Sequence, residues 1–154
     1  MMLSQFLDFE AIRIDLAVNN KRQLINQLAQ SAGARLSLDP GLIADSVGDR
    51  ERLGSTGFGG GVAIPHGKLA GLDRVYALVV RLSTPIDYKA IDGGKVDLVF
   101  LLLSPPDTGA EHLKALAAVS RVVRHAATVE KLRGARSRDA LAAVLLGVDE
   151  RDAA

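Results

Sequence analysis

Hydrophobic and polar positions divide the chain into segments of two periods. In residues 21–33, Leu24, Ile25, Leu28 and Ala32 recur at helical spacing, with Asn19-Asn20 ahead of them and Gly33 placed to end the helix. Asp39-Pro40 opens a second helix, with Asp39 as N-cap and Pro40 in the first turn. It runs to about Arg52, with Leu42, Ile43 and Val47 expected to face inward. Residues 75–82 (VYALVVRL) and 96–103 (VDLVFLLL) are continuous apolar runs, the pattern of strands buried on both faces. Residues 62–64 read as a short strand stopped by Pro65, with Gly67 and Gly71 flanking a loop. Thr84-Pro85 and Asp92-Gly93-Gly94 read as turns, and Ser104-Pro105-Pro106-Asp107 ends the last strand. A long helix is expected over 110–126, using Leu113, Leu116, Ala117, Val119, Val122 and Val123, and shorter helices over 128–134 and 137–146. Residues 3–9 read as a short amphipathic turn or strand, and 149–154 as a frayed end. The expected fold is α/β: a mixed parallel/antiparallel central sheet of about five strands, with helices on both faces.

Composition narrows the functional classes. The 154 residues suit one domain over 1–154, and 48% of them are apolar and 24% charged, a globular balance. With no Trp, two Tyr and four Phe, the core must be mainly Leu, Val, Ile and Ala. A net charge of +1, from 19 basic and 18 acidic residues, gives no electrostatic reason to expect nucleic acid or an anionic membrane as a partner. The absence of Cys excludes disulfides, thiolate metal sites and cysteine nucleophiles. No secretory signal is visible, and the apolar runs fall far short of the ~20 residues that span a bilayer. A cytoplasmic location is the resulting expectation.

The chemistry concentrates in residues 54–68. Five of the eight residues from Gly54 to Gly61 are Gly, which argues against a regular helix or strand there. Successive amides of such a loop can form an anion-binding nest, to which Ser55 and Thr56 add hydroxyls and Gly57 and Gly59 add backbone freedom. Neither familiar nucleotide motif fits. Gly61 stands one residue too far from Gly67-Lys68 for a P-loop, and Val62 occupies the last glycine of a dinucleotide fingerprint. His66 follows, between Pro65 and Gly67. Neutral imidazole is a good nucleophile near pH 7, and a hydrogen bond to one ring nitrogen selects the other for chemistry. Taken alone, Pro-His-Gly more often marks a structural loop histidine. His112 lies at the head of the long helix, just past a buried strand, a favoured place for ligand sites in α/β folds, and Thr108, Gly109 and Glu111 share that corner. A solvated helix histidine is the competing reading. His125, beside Arg121 and Arg124, is explained by the helix dipole. Arg50, with Arg52 as competitor, could hold phosphate oxygens in a bidentate fork, or could be a solvated helix charge. No histidine pair has the spacing typical of a metal site, and no metal or other cofactor is expected.

The run from Arg50-Glu51 through Gly54-Ser55-Thr56-Gly57, Gly59 and Gly61 to Val62-Ala63-Ile64-Pro65-His66-Gly67-Lys68 resembles the active-site signature of the IIA proteins of the bacterial phosphotransferase system, fructose/mannitol class. Thr84-Pro85-Ile86, 96–100 and His112-Leu113 fall where that family has comparable segments, so the likeness covers about 5–148. The resemblance implies phosphorylation of His66 on Nε2 by the phosphocarrier HPr or its nitrogen-branch counterpart NPr. It implies that His112 assists and that Arg50 contributes positive charge. Gly54-Ser55-Thr56-Gly57 and Ile64-Pro65-His66-Gly67-Lys68-Leu69, with the lack of an attached IIB or IIC segment, resemble the nitrogen-regulatory branch, whose members act on regulatory targets such as kinases or transporters. Phe58 and the extra Gly60 depart from the family pattern and bear on the loop's conformation. Two other readings remain. One is a sugar-specific IIA passing phosphate to a separate IIB. The other is an anion-binding module with no covalent step.

Overall fold

The computed structural model describes the backbone of residues 1–153 and the side chains of 1–151. In chain order the elements are β1 (Arg13–Leu16), α1 (Lys21–Leu36), α2 (Pro40–Leu53), β2 (Gly57–Gly59), β3 (Val62–Ala63), β4 (His66–Lys68), β5 (Tyr76–Ile86), β6 (Val96–Ser104), α3 (Gly109–Val123), α4 (Ala126–Gly134) and α5 (Arg138–Ala153). Short 3-10 turns at Leu3–Gln5 and Phe9–Ala11 precede them.

The six strands form one mixed sheet in the order β1-β5-β6-β3-β2, with β4 also paired to β6. The β5/β6 and β2/β3 pairs are antiparallel; β1/β5, β3/β6 and β4/β6 are parallel. Alternation along the central strands feeds two cores. Leu78, Val80, Val99, Leu101 and Leu103 pack toward α1 and α2. Ala77, Val79, Leu98, Phe100 and Leu102 pack toward α3, α4 and α5. The expected α/β sheet with helices on both faces is therefore present, and the apolar runs 75–82 and 96–103 are its two central strands.

Several local expectations change. Gly33 does not cap α1: it lies buried in the helix, and Ser37, with φ 56°, ends it. A Cβ at Gly33 would sit 2.8 Å from the carbonyl oxygen of Leu38, so glycine serves the close return of the chain. Asp39 caps α2 as expected, accepting from the Gly41 amide, and Ile43 and Val47 are buried, but Leu42 faces solvent. Strand β1 had no sequence signal, since only Leu16 of its four residues is buried. Strand β5 continues through Thr84-Pro85, where the register with β6 shifts between Arg81 and Ile86; an irregularity of this kind accommodates Pro. The expected long helix ends at Val123, and a new helix starts at Ala126.

The segment 149–153, expected to fray, is helical, and residue 154 lies outside the described residues. Helix α5 runs on to Ala153, and the buried Asp149 carboxylate accepts from the amides of Leu3 and Ser4, both at 2.8 Å. It thereby satisfies free donors of the first 3-10 turn and ties the two ends of the chain together. Arg81 plays the opposite part at α4, donating through Nη1 to the carbonyls of Leu132, Arg133 and Ala135. Replacing Asp149 by Ala should lower the unfolding free energy by about 2 kcal/mol, because one buried and one half-buried amide lose a charged acceptor. Urea denaturation measures the loss, and hydrogen exchange should locate it in residues 3–6.

Candidate functional site

The site lies along β4, beside the end of β6. Pro65 interrupts the strand that begins as β3, and pairing to β6 resumes at His66, opposite Leu102. The Pro65 carbonyl still accepts from the Leu102 amide at 3.0 Å, so the break is local. His66 is thus the first residue of a strand, and Gly67, expected to flank a loop, is buried within it. A Cβ at Gly67 would stand 2.5 Å from Ser46 Oγ and 3.2 Å from the Ser46 carbonyl carbon. The glycine therefore lets α2 cross the strand, and Ser46 Oγ then donates to the Lys68 carbonyl at 2.6 Å. This close packing, rather than open access to the ring, explains Gly after His66.

The His66 imidazole donates from Nδ1 to the Ile64 carbonyl at 2.8 Å. Only an N–H can make that bond, so Nε2 carries the free lone pair. Beyond β6, Pro105-Pro106 stops the strand and the chain turns through Thr108 into α3. His112, in the first turns of α3, is buried, and its ring centroid lies 5.4 Å from that of His66. Both rings line one depression together with Ser46, Asp49, Arg50, Leu53, Gly67 and Lys68. Thr108, Gly109 and Glu111 are absent from its lining.

Arg50 belongs to the same depression, and it also lines a neighbouring one with Ser55, Thr56, Gly57, Phe58, Ile64 and His66. One of its nitrogens donates to the Gly54 carbonyl at 2.9 Å, which fixes the start of the loop. Arg52 points elsewhere, lining a groove with Lys21 and Asp87, so Arg50 is the arginine brought to His66.

The Gly-rich loop is more ordered than its composition suggested. Gly57–Gly59 is a short strand, and Gly59, Gly60 and Gly61, all at positive φ, turn it back into β3. A Cβ at Gly57 would come within 2.6 Å of Ala90 Cβ. Ser55 and Thr56 face the site, and the polar groups of Thr56 are already engaged. Ser55 Oγ accepts from the Gly57 amide at 3.1 Å. The Thr56 hydroxyl and amide both donate to Glu51, and Tyr88 lies 2.9 Å from that hydroxyl. Gly59 lies away from His66, in a depression with Phe58, Gly60 and Arg133. The Thr56 and Gly57 amides thus have acceptors in Glu51 and Ser55, and the loop is pinned from below.

Glu51 does the pinning, a role sequence reasoning did not assign although the residue stands within the signature. It accepts from Lys21 Nζ at 2.7 Å and from Tyr88 Oη at 2.8 Å, in addition to Thr56. Burial alone would raise its pKa, but the hydrogen bonds from Lys21, Thr56 and Tyr88 outweigh it and hold the carboxyl below its usual range. Sequence reasoning also missed Ser104, whose hydroxyl lies 2.6 Å from His112 Nδ1, and a rim of exposed apolar side chains. Leu53, on the rim of one depression, is 85% exposed, and Ile91 and Phe58, which line the other, are 89% and 42% exposed. Isolated apolar residues at helix ends and in loops carry no periodicity that separates them from core.

Both imidazoles are held neutral near pH 7. Burial lowers the pKa of His66, the Ile64 carbonyl opposes that shift, and the Arg50 charge adds to it. Burial, with His66 and Lys68 nearby, pushes His112 down to about 4. In the unfolded chain these rings take protons near the ordinary value of about 6.5. Their contribution to stability is therefore complete above that pH and is lost as pH falls toward 4. His112→Gln should flatten the decline of melting temperature between about pH 7 and pH 4 relative to wild type. Gly67→Ala should cost about 1–3 kcal/mol, since α2 must shift off β4. Its urea midpoint should fall, and the His66 ring resonances should move.

Known proteins resemble this chain over nearly its whole length. Residues 5–147 match the family described as phosphoenolpyruvate-dependent sugar phosphotransferase system, EIIA 2. A nitrogen regulatory protein of Bradyrhizobium diazoefficiens is 43% identical over 145 residues, covering 94% of this chain and 95% of that one. One from Escherichia coli is 37% identical, over 92% of this chain and 87% of that one. The crystal structure of nitrogen regulatory protein IIA-Ntr from Neisseria meningitidis superposes with a TM-score of 0.88 at 31% identity, over 93% of this chain and 98% of that one. The chain therefore belongs to the EIIA type-2 family of the phosphoenolpyruvate-dependent sugar phosphotransferase system.

Proposed function

We propose that His66 accepts a phosphoryl group on Nε2 from the phosphohistidine of a small phosphocarrier of the HPr or NPr kind, and that the modified and unmodified forms engage regulatory target proteins differently. The observation that carries this reading is the tautomer of His66. Its Nδ1–H is committed to the Ile64 carbonyl, which leaves an unprotonated Nε2 beside His112 and Arg50. In the transfer, the P–N bond to the carrier's histidine breaks as a P–N bond to Nε2 of His66 forms, so no proton need be lost from Nε2. The bond to the Ile64 carbonyl strengthens as positive charge develops on the ring. Arg50 and His112 offer donors to the phosphoryl oxygens, a form of electrostatic stabilisation that needs no metal. Ser55 and Gly57 bound the neighbouring depression, and Thr56, held by Glu51, keeps that wall in place. Leu53, Phe58 and Ile91 give a docking partner dry contact around the ring.

A dianionic phosphoryl group on this surface changes the charge a partner meets, which is the physical basis of a regulatory switch. The nitrogen-regulatory reading is favoured over a sugar-specific IIA serving a separate IIB because relatives 43% and 37% identical over more than nine-tenths of this chain bear the name nitrogen regulatory protein. An anion-binding module without a covalent step is disfavoured by the engaged amides of the Gly-rich loop.

Incubation with phosphoenolpyruvate, enzyme I and the phosphocarrier should yield an acid-labile, base-stable phosphate that is absent from His66→Ala. A wild-type protein left unmodified by active donors refutes the reading. Arg50→Gln should slow phosphoryl acceptance by about a hundredfold while leaving the melting temperature nearly unchanged. Transfer of the phosphate onward to an isolated IIB domain would favour the sugar-specific role.

A further inference from the structure

Ser104 is the last residue of β6, fully buried, paired through its backbone with Lys68 of β4 and accepting the Leu69 amide at 2.8 Å. Its hydroxyl has one hydrogen-bond partner among the described residues, Nδ1 of His112 at 2.6 Å. That pairing can be made in two ways. If His112 donated, the hydroxyl proton of Ser104 would be buried without an acceptor, a costly state. If Ser104 donates, its proton is satisfied and only a spare lone pair goes unused. His112 is held neutral by burial, so it carries one ring proton. With Nδ1 accepting from Ser104, that proton must sit on Nε2.

We propose that Ser104 is a positioning residue for phosphoryl transfer, fixing His112 so that its Nε2–H, rather than a lone pair, is presented to the phosphoryl group on His66. The proposal rests on the reading of His66 as the acceptor. A neutral imidazole offers one donor and one acceptor, and the wrong edge would place a lone pair against phosphoryl oxygens. His66 and His112 thus hold opposite tautomers. His66 keeps its proton on Nδ1, against Ile64, and exposes a nucleophile. His112 keeps its proton on Nε2 and exposes a donor. Each is set by a nearby oxygen, the backbone carbonyl of Ile64 between β3 and β4 in one case and the Ser104 hydroxyl at the end of β6 in the other.

The test combines two readouts on wild type, Ser104→Ala and Ser104→Thr. Long-range proton–nitrogen NMR on unphosphorylated protein reads the tautomers directly. Wild type should show His112 protonated on Nε2, and Ser104→Ala should show a mixed pattern. Rapid-quench kinetics with phosphorylated carrier should show transfer about tenfold slower in Ser104→Ala, the scale of one buried hydrogen bond, with most of the rate restored in Ser104→Thr. A wild-type His112 protonated on Nδ1 overturns the proposal. So does a folded Ser104→Ala that transfers at the wild-type rate. If wild type itself takes no phosphate, the reading of His66 fails and the transfer role of Ser104 falls with it. The tautomer measurement, made without phosphate, tells that failure from a failure of the positioning argument.

Discussion

The site depends on one constraint: β4 must pair with β6 immediately beyond a proline that cannot continue the strand from which it comes. Pro65 breaks β3 from β4, yet both segments keep parallel register on β6. The break turns the Ile64 carbonyl away from the ladder, where it meets His66 Nδ1. The Ile64 amide remains tied to the Thr56 carbonyl at 3.0 Å, so that acceptor is held rigidly. A histidine in an uninterrupted strand would point its ring into one of the two cores and find no such acceptor beside it.

The surrounding structure follows from this kinked strand. Gly67 allows α2 to lie across β4, and α2 carries Arg50 to one side of the ring and Glu51 beneath the loop. Glu51 then collects Lys21 from α1, Tyr88 from the segment after β5, and Thr56. The Lys21 ammonium also sits 4.2 Å over the Tyr88 ring. On the other side, β6 delivers Ser104, and α3 folds back to place His112 against it. Two layers of helix, one on each face of the sheet, therefore meet at β4 and the end of β6. This is the region in which open α/β sheets commonly hold their ligands.

How much of this could be read from the chain depends on how local the physical signal was. The central strands announce themselves, because residues buried on both faces leave an unbroken apolar run. The start of α2 is equally plain, since Asp39-Pro40 is a cap and a first turn in two residues. Strand β1 is an edge with one buried side chain, and no pattern of period two survives in four residues. The strand within Gly57–Gly59 is set by pairing with Val62–Ala63 rather than by propensity, and β5 passes through Pro85 because a register shift absorbs it. At the site, His66, His112 and Arg50 were named from residue type and resemblance, and the fold brings them together. The hydroxyl of Thr56 was read as a free donor because nothing in the sequence indicates that a carboxylate five residues earlier will reach it. Ser104 was read only as the end of a strand. Its significance depends on the eight-residue return of the chain to His112, a contact that exists only in the fold.

The central claim is that His66 acts through Nε2 because Nδ1 is already committed. The most direct measurement is nitrogen-15 and phosphorus NMR of the phosphorylated protein, in which the coupling between phosphorus and ring nitrogen identifies the bonded atom. The account predicts phosphate on Nε2 of His66, with Nδ1 still protonated and hydrogen-bonded. Phosphate on Nδ1, or on His112 in place of His66, would contradict it.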